Sequence, residues 1–270
     1  MTFSKFSVVI PTIISDINKL DYLVNQILTF SDIIDELIIV NQSVVNYTCP
    51  SSSVSIKNVE WRGLSKARNC GADLAKNEYI IFCDDDIKLS YDSLKAVIDF
   101  VIKNPEVDCI TGAALLESGE KSNVGGFDKE SRKILTHTLD KATLETCMVI
   151  KRSVFTRHRF NENLGIGTFY GSCEGRDLIR NIVSNGGRAQ YLSFFNYYHK
   201  KMPLSGFDIN KRYFDHGVGL AGYFKFHKDY RFLVSNILRN ILASFFYIYS
   251  PKKAKKYISK LIGIFAGLVI

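Results

Sequence analysis

The 270-residue chain predicts an α/β fold, a mostly parallel sheet flanked by helices, with a helical C-terminal extension. Three observations carry that expectation. Short apolar runs recur at Ser7–Ile10, Leu37–Val40, Tyr79–Cys83 and Val107–Thr111, and runs of this length and β-branched content read as buried strands. Between them lie segments with apolar residues at helical spacing. After His199 the alternation stops and longer helical patterns take over. The expected division is an α/β domain over residues 1–205 and a helical extension over 206–270.

Composition limits the classes. A hydrophobic content of 46% supports a sizeable core, and a net charge of +8 points to an anionic partner. The six cysteines are scattered, with no Cys-x-x-Cys pair. Reduced thiols in a cytoplasmic protein are expected, not a disulfide framework or a zinc site. The N-terminal apolar run is cut by Pro11 and lacks the shape of a signal peptide.

Taken in order, Ser7–Ile10 forms the first strand and Pro11-Thr12 ends it. Asp16 opens a helix whose apolar positions are Ile17, Leu20, Leu23, Val24, Ile27 and Leu28. Leu37–Val40 is the second strand, with Asn41-Gln42-Ser43 as its turn, and Val54 and Ile56 mark a short third. Ser65 is the expected N-cap of a helix running to about Lys76. The strand Tyr79–Cys83 leads into Asp84-Asp85-Asp86, and a helix from Ser90 to Lys103 follows. Lys121–Asp140, with Gly125-Gly126, reads as a loop or weak hairpin, and Glu145–Ile150 as a strand. A glycine-containing stretch from Phe160 to Gly175 precedes a helix that Gly186-Gly187 stops. Tyr191–His199 is the last strand-like segment.

In parallel sheets, ligands bind beyond the carboxyl ends of the strands. Three polar loops fall there: Pro11-Thr12, Asn41–Ser43 and Asp84–Asp86. Three adjacent carboxylates favour a compensating cation, and hard oxygen donors suit Mg²⁺ or Mn²⁺. The other reading of the triplet is a solvated acidic turn. For Glu174 and Asp177 the other reading is capping of the helix they begin, and for His199 a structural histidine.

The order of motifs resembles the GT-A (Rossmann-like) glycosyltransferases of family 2, which build bacterial surface polysaccharides. The resemblance runs from about Phe6 to His199. It rests on strand-Pro11-Thr12, Gly63-Leu64-Ser65-x-Ala67-Arg68-Asn69, Asp84-Asp85-Asp86, Glu174-x-x-Asp177-Leu178 and Tyr198-His199. It implies a metal-dependent, inverting enzyme that moves a sugar from a nucleoside diphosphate, with UDP expected, to a saccharide or lipid-linked saccharide. Asp84 and Asp86 match the D-x-D signature, with Asp84 near ribose and metal and Asp86 on a Mn²⁺ or Mg²⁺ that bridges the diphosphate. Pro11, Thr12, Asn41, Ser43, Arg68 and Asp85 fall on the nucleotide side, and His199 matches a histidine that completes the metal site in some members. Glu174 and Asp177 match the acidic motif that supplies the catalytic base. That motif is commonly a contiguous Glu-Asp pair; here Gly175 follows Glu174, and the base stays open between the two. Asn41-Gln42-Ser43 stands where an aspartate often reads the nucleobase.

The tail has two readings. Arg231–Tyr249 is helix-like, Pro251–Lys256 is basic and Leu261–Ile270 is apolar. No stretch reaches the ~20 uncharged apolar residues of a membrane span. An interfacial helix with basic anchors on the inner face of a membrane fits the pattern; so does a helix packed on the catalytic domain. A sugar nucleotidyltransferase would need a glycine-rich loop after the first strand, which Pro11-Thr12-Ile13-Ile14 does not supply. An aspartate-phosphorylating phosphatase would carry its aspartates after the first strand. A nucleic-acid partner is not expected, because the lysines are dispersed outside the tail. A non-catalytic, nucleotide-sugar-binding relative stays open.

Overall fold

The computed structural model describes residues 6–116, 118–120, 129–141, 146–199 and 206–270. Gly125-Gly126 and Glu145 of the expected loop and strand lie outside these. Nine strands among the described residues form one sheet: β1 (Phe6–Thr12), β2 (Glu36–Asn41), β3 (Val54–Asn58), β4 (Tyr79–Cys83), β5 (Ile87–Leu89), β6 (Cys109–Leu115), β7 (Arg132–Ile134), β8 (Cys147–Lys151) and β9 (Ala189–His199). The helices are α1 (Ile17–Leu28), α2 (Leu64–Leu74), α3 (Tyr91–Lys103), α4 (Arg152–Phe155), α5 (Glu174–Ser184), α6 (Gly206–His227), α7 (Tyr230–Phe246) and α8 (Pro251–Val269).

The strand order is β3-β2-β1-β4-β8-β6-β9-β5, with β7 also on β9. Strands β1 to β4, β6 and β9 run one way, while β8, β5 and β7 run against them. The sheet is therefore mostly parallel, as a GT-A fold requires. The order reverses between β1 and β4, and such switch points open a crevice at the strands' carboxyl ends. In register, Thr12 sits beside Asn41 and Asn41 beside Asn58 along that edge.

Period-two alternation in β1 explains why the sheet is covered on both faces. Phe6, Val8 and Ile10 join one core with Leu20, Leu23 and Ile27 of α1 and Leu94, Val97 and Val101 of α3. Val9, with Ile80 and Phe82 of β4, joins the other with Ala67 of α2 and Leu178, Ile179 and Ile182. Asp16 caps α1 by accepting from the Asn18 N–H at 3.1 Å, and Ser90 caps α3 through the Ser93 N–H at 3.4 Å.

Several boundaries differ from expectation. Strand β1 does not stop at Ile10 but runs through Pro11 to Thr12, paired with β2 to its end. Helix α2 starts at Leu64, so Ser65 is inside its first turn and is not the cap. Its hydroxyl donates instead to the Leu164 carbonyl at 2.6 Å. The helix ends at Leu74, and the Lys76 N–H turns to Glu36 Oε2 at 3.0 Å. Strand β6 starts at Cys109, because the Val107 N–H closes the turn after α3 on the Asn104 carbonyl.

The chain forms two compact units, one of Met1–Arg62, Lys66–Phe160 and Leu178–Lys201, the other of Gly63–Ser65, Asn161–Asp177 and Met202–Ile270. In the second, α6 and α8 lie backbone to backbone. A Cβ on Gly263 would fall 2.1 Å from the Phe214 carbonyl oxygen, and one on Gly217 2.1 Å from that of Lys260. Its core is Leu220, Tyr223, Phe232, Leu233 and Ile264. Among the described residues no helix is long and apolar enough to cross a membrane.

Candidate active site

In the first unit, the carboxyl end of β4 delivers Asp84, Asp85 and Asp86, and each is held by a different element. The Arg68 guanidinium of α2 donates to Asp84 Oδ1 at 2.7 Å. Thr12, at the end of β1, donates its hydroxyl to Asp85 Oδ2 at 2.5 Å and accepts from the Ile14 N–H at 2.9 Å. Asp86 Oδ2 lies 3.1 Å from His199 Nε2. Strand β5 makes that last contact possible, because it pairs Ile87 with His199 on β9.

The environment splits the three. Burial pushes the Asp84 carboxyl up to about 6, although the Arg68 charge and hydrogen bond pull it down. Burial also raises Asp85, against the Thr12 hydrogen bond. Asp86 is half-exposed, at 45%, and so is the carboxylate of the three most open to a ligand. Arg68 is wholly buried and lies 5.2 Å from the Phe160 ring centroid. Its charge bears directly on Asp84, 2.7 Å away. Asn69 brackets the Phe160 backbone, donating to its carbonyl at 2.9 Å and accepting from its N–H at 3.1 Å.

Pro11 is buried within β1. The Asn41 side chain holds its own loop together: its amide nitrogen donates to the Val45 carbonyl and to Asn58 Oδ1, and its oxygen accepts from the Ser43 N–H at 2.9 Å. Beside these strand ends, Ile13, Ile14, Ser43, Val44, Val45 and Arg62 line an open depression. Among the described residues, no three His, Cys, Asp or Glu side chains converge as a ready-made metal cage.

In the second unit, Glu174 and Asp177 lie in the first turn of α5, and both are buried. Asp177 Oδ1 is 2.6 Å from Nε2 of His227, the last residue of α6. Gly165 has φ of 100°, and a Cβ there would fall 3.0 Å from Glu174 Cδ and 2.9 Å from Ser65 Oγ. Only glycine lets that loop pass so close. The Leu64 N–H donates to the Ile166 carbonyl at 2.9 Å. The Gly63–Asn69 motif thus does two jobs: Gly63-Leu64-Ser65 belongs with the Leu164–Ile166 loop, and Arg68-Asn69 with β4 and Phe160.

All eleven expected site residues are among the described residues, nine in the first unit and Glu174 and Asp177 in the second; beside Asp177 stands His227, which sequence reasoning missed. His227 lies 50 positions from Asp177 in a stretch with no motif, so only the folding of α6 reveals it.

The sequence matches the family model described as glycosyl transferase family 2 over residues 7–165, more than half of the chain. The chain belongs to glycosyl transferase family 2. The matched span includes Arg68 and Asp84–Asp86 and stops before Glu174, Asp177 and His199. This glycosyltransferase resembles the crystal structure of S. aureus TarS, residues 1–349. The TM-score is 0.59 at 15% identity, over 97% of this chain and 90% of that one. Identity that low establishes a shared fold and nothing finer. A search of curated protein sequences finds no match.

Proposed function

We propose that this glycosyltransferase moves a sugar, with inversion, from a nucleoside diphosphate to a saccharide or lipid-linked saccharide during bacterial surface polysaccharide synthesis. UDP is the expected nucleotide. The observation that carries the reading is the triplet at the β1/β4 switch point, with each carboxylate oriented by a separate partner. Acidic turns that only solvate a loop have no need of a buried arginine behind them.

The donor set fits a divalent cation. Mg²⁺ and Mn²⁺ keep waters and substrate phosphates as ligands and need only one or two protein carboxylates. Asp86, with His199 at 3.1 Å and Asp84 beside it, meets that need. A cation held there would neutralise charge on the departing diphosphate. The chain's own part is orientation. Arg68 and Thr12 fix two carboxylates before ligand arrives, which removes reorganisation from the reaction.

An inverting displacement needs one base to take the acceptor hydroxyl's proton. We assign it to Glu174. The Glu174 carboxyl lies against the glycine-containing loop at Gly165; Asp177, 2.6 Å from His227 Nε2, serves as a positioning residue.

The test is a panel of UDP-, GDP-, dTDP- and CMP-sugars scored for thermal stabilisation and Mn²⁺-dependent donor hydrolysis. One donor should raise the melting temperature, and EDTA should erase the shift. Asp86→Ala should abolish turnover. Glu174→Gln should lower transfer by about 100-fold and leave donor stabilisation intact. Full turnover by Asp86→Ala would overturn the metal assignment. Stabilisation without turnover by the unaltered protein would identify a nucleotide-sugar-binding relative.

A further inference from the structure

Helices α7 and α8 bury one face each and leave an apolar stripe in solvent on another. On α7, Phe232, Leu233, Asn236 and Asn240 are buried, while Val234, Leu238, Leu242 and Phe245 are half-exposed or more. On α8, Ala254, Gly263, Ile264 and Gly267 are buried, while Ile258, Ile262, Phe265 and Val269 are exposed. Both stripes keep helical spacing. They adjoin where the helices meet, since Phe245, Ile248, Pro251 and Ile258 line one shallow groove. The end of α7 and the turn after it are wide open: Phe246 is 79% and Tyr249 98% exposed.

Charge is arranged around that face. From Tyr230 to Ile270 the chain has seven Lys and Arg and no Asp or Glu, so this segment supplies seven of the net +8. Lys252, Lys253, Lys255 and Lys256 follow the exposed turn directly, in the first turns of α8. Cations at a helix N-terminus oppose the macrodipole, so helix stability does not account for them. Lys253 lies 5.1 Å from the Tyr247 ring centroid, and that ring stacks on Tyr257 at 5.7 Å.

We propose that the α7–α8 face docks on the surface of a bilayer containing anionic lipid. Phe245, Phe246, Ile248 and Tyr249 enter the headgroup and acyl boundary, and the four lysines meet lipid phosphates. Interfacial elements combine these two features, and aromatic residues favour that boundary. A second copy is the poorer occupant, because pairing this face with itself would bring together two clusters of four lysines, Lys252, Lys253, Lys255 and Lys256, with no Asp or Glu in the segment to offset them. The proposal stands apart from the sugar-transfer reading, since lipid binding is measured without donor.

The experiment is flotation of the full chain with phosphatidylcholine vesicles, alone or with about one third phosphatidylglycerol. The protein should float with the anionic vesicles and bind the neutral ones at least ~10-fold more weakly. Replacing Lys252, Lys253, Lys255 and Lys256 by Gln should remove the difference. Phe245→Ser with Phe246→Ser and Tyr249→Ser should abolish flotation with an unchanged melting temperature and unchanged donor hydrolysis. Three results would overturn the proposal. One is no flotation at low salt. Another is full flotation by the triple serine variant. The third is a dimer in sedimentation that the serine variant dissolves, without any lipid binding.

Discussion

Asp84 and Arg68 show how one buried pair shapes the triplet. Arg68 is fully buried, and 18% of the Asp84 side chain is exposed. Losing one partner of such a pair strands the other charge and costs about 3–5 kcal/mol. Arg68→Met should therefore lower stability by about that much, and Asp84→Asn added to it should recover part of the loss, read from urea unfolding as a double-mutant cycle. The pH dependence follows from Asp84. Its folded pKa, about 6, lies above the unfolded 3.8. The folded state thus holds the proton more tightly, and stability falls as pH climbs through that window. Arg68 lowers the folded value, so its removal extends the window upward. The loss in Arg68→Met should be larger at about pH 8 than at about pH 5. An equal loss at both would mean that Arg68 acts through packing alone.

Among the elements, α6 and α8 are held by close approach. Gly263 meets the Phe214 carbonyl, which is backbone and cannot swing aside. Gly263→Ala gains about 1 kcal/mol of helix propensity yet forces the two helices apart. Overpacking of this kind costs about 1–3 kcal/mol. We expect net destabilisation, measured by chemical denaturation; a stabilised variant would mean that the helices separate without cost. Strand β5 matters at the same scale. Three residues long and paired to β9, it is what brings His199 to Asp86. A run that short has no periodic signature to find in a sequence.

For the whole molecule, burial decides chemistry that composition only lists. Six cysteines and no disulfide are present, and Cys83, Cys109 and Cys147 are buried. Burial pushes all three thiols up from their ordinary value. Thiolate is the reactive form, so a thiol reagent should label at most Cys49, Cys70 and Cys173 in the native protein and all six after unfolding, counted by mass. Rapid native labelling of Cys83 would show that the core beside the triplet opens readily.

The fold class, the capped starts of α1 and α3, the switch-point loops and the aspartate triplet were legible in the residues themselves, because apolar periodicity and local hydrogen bonding are short-range. Glu174 and Asp177 were legible as a pair, through their motif. Other facts needed the tertiary structure. Ser65 turned from cap to loop anchor, Arg68 proved buried behind Asp84, Asn41 proved bound up in its own turn, and His227 arrived at Asp177. The helical extension was expected, but the bounds of α6 within it were not, since its glycines depress helical propensity and are repaid by close packing on α8. Each of these depends on contacts between residues far apart in the chain, and no local pattern encodes a partner's position.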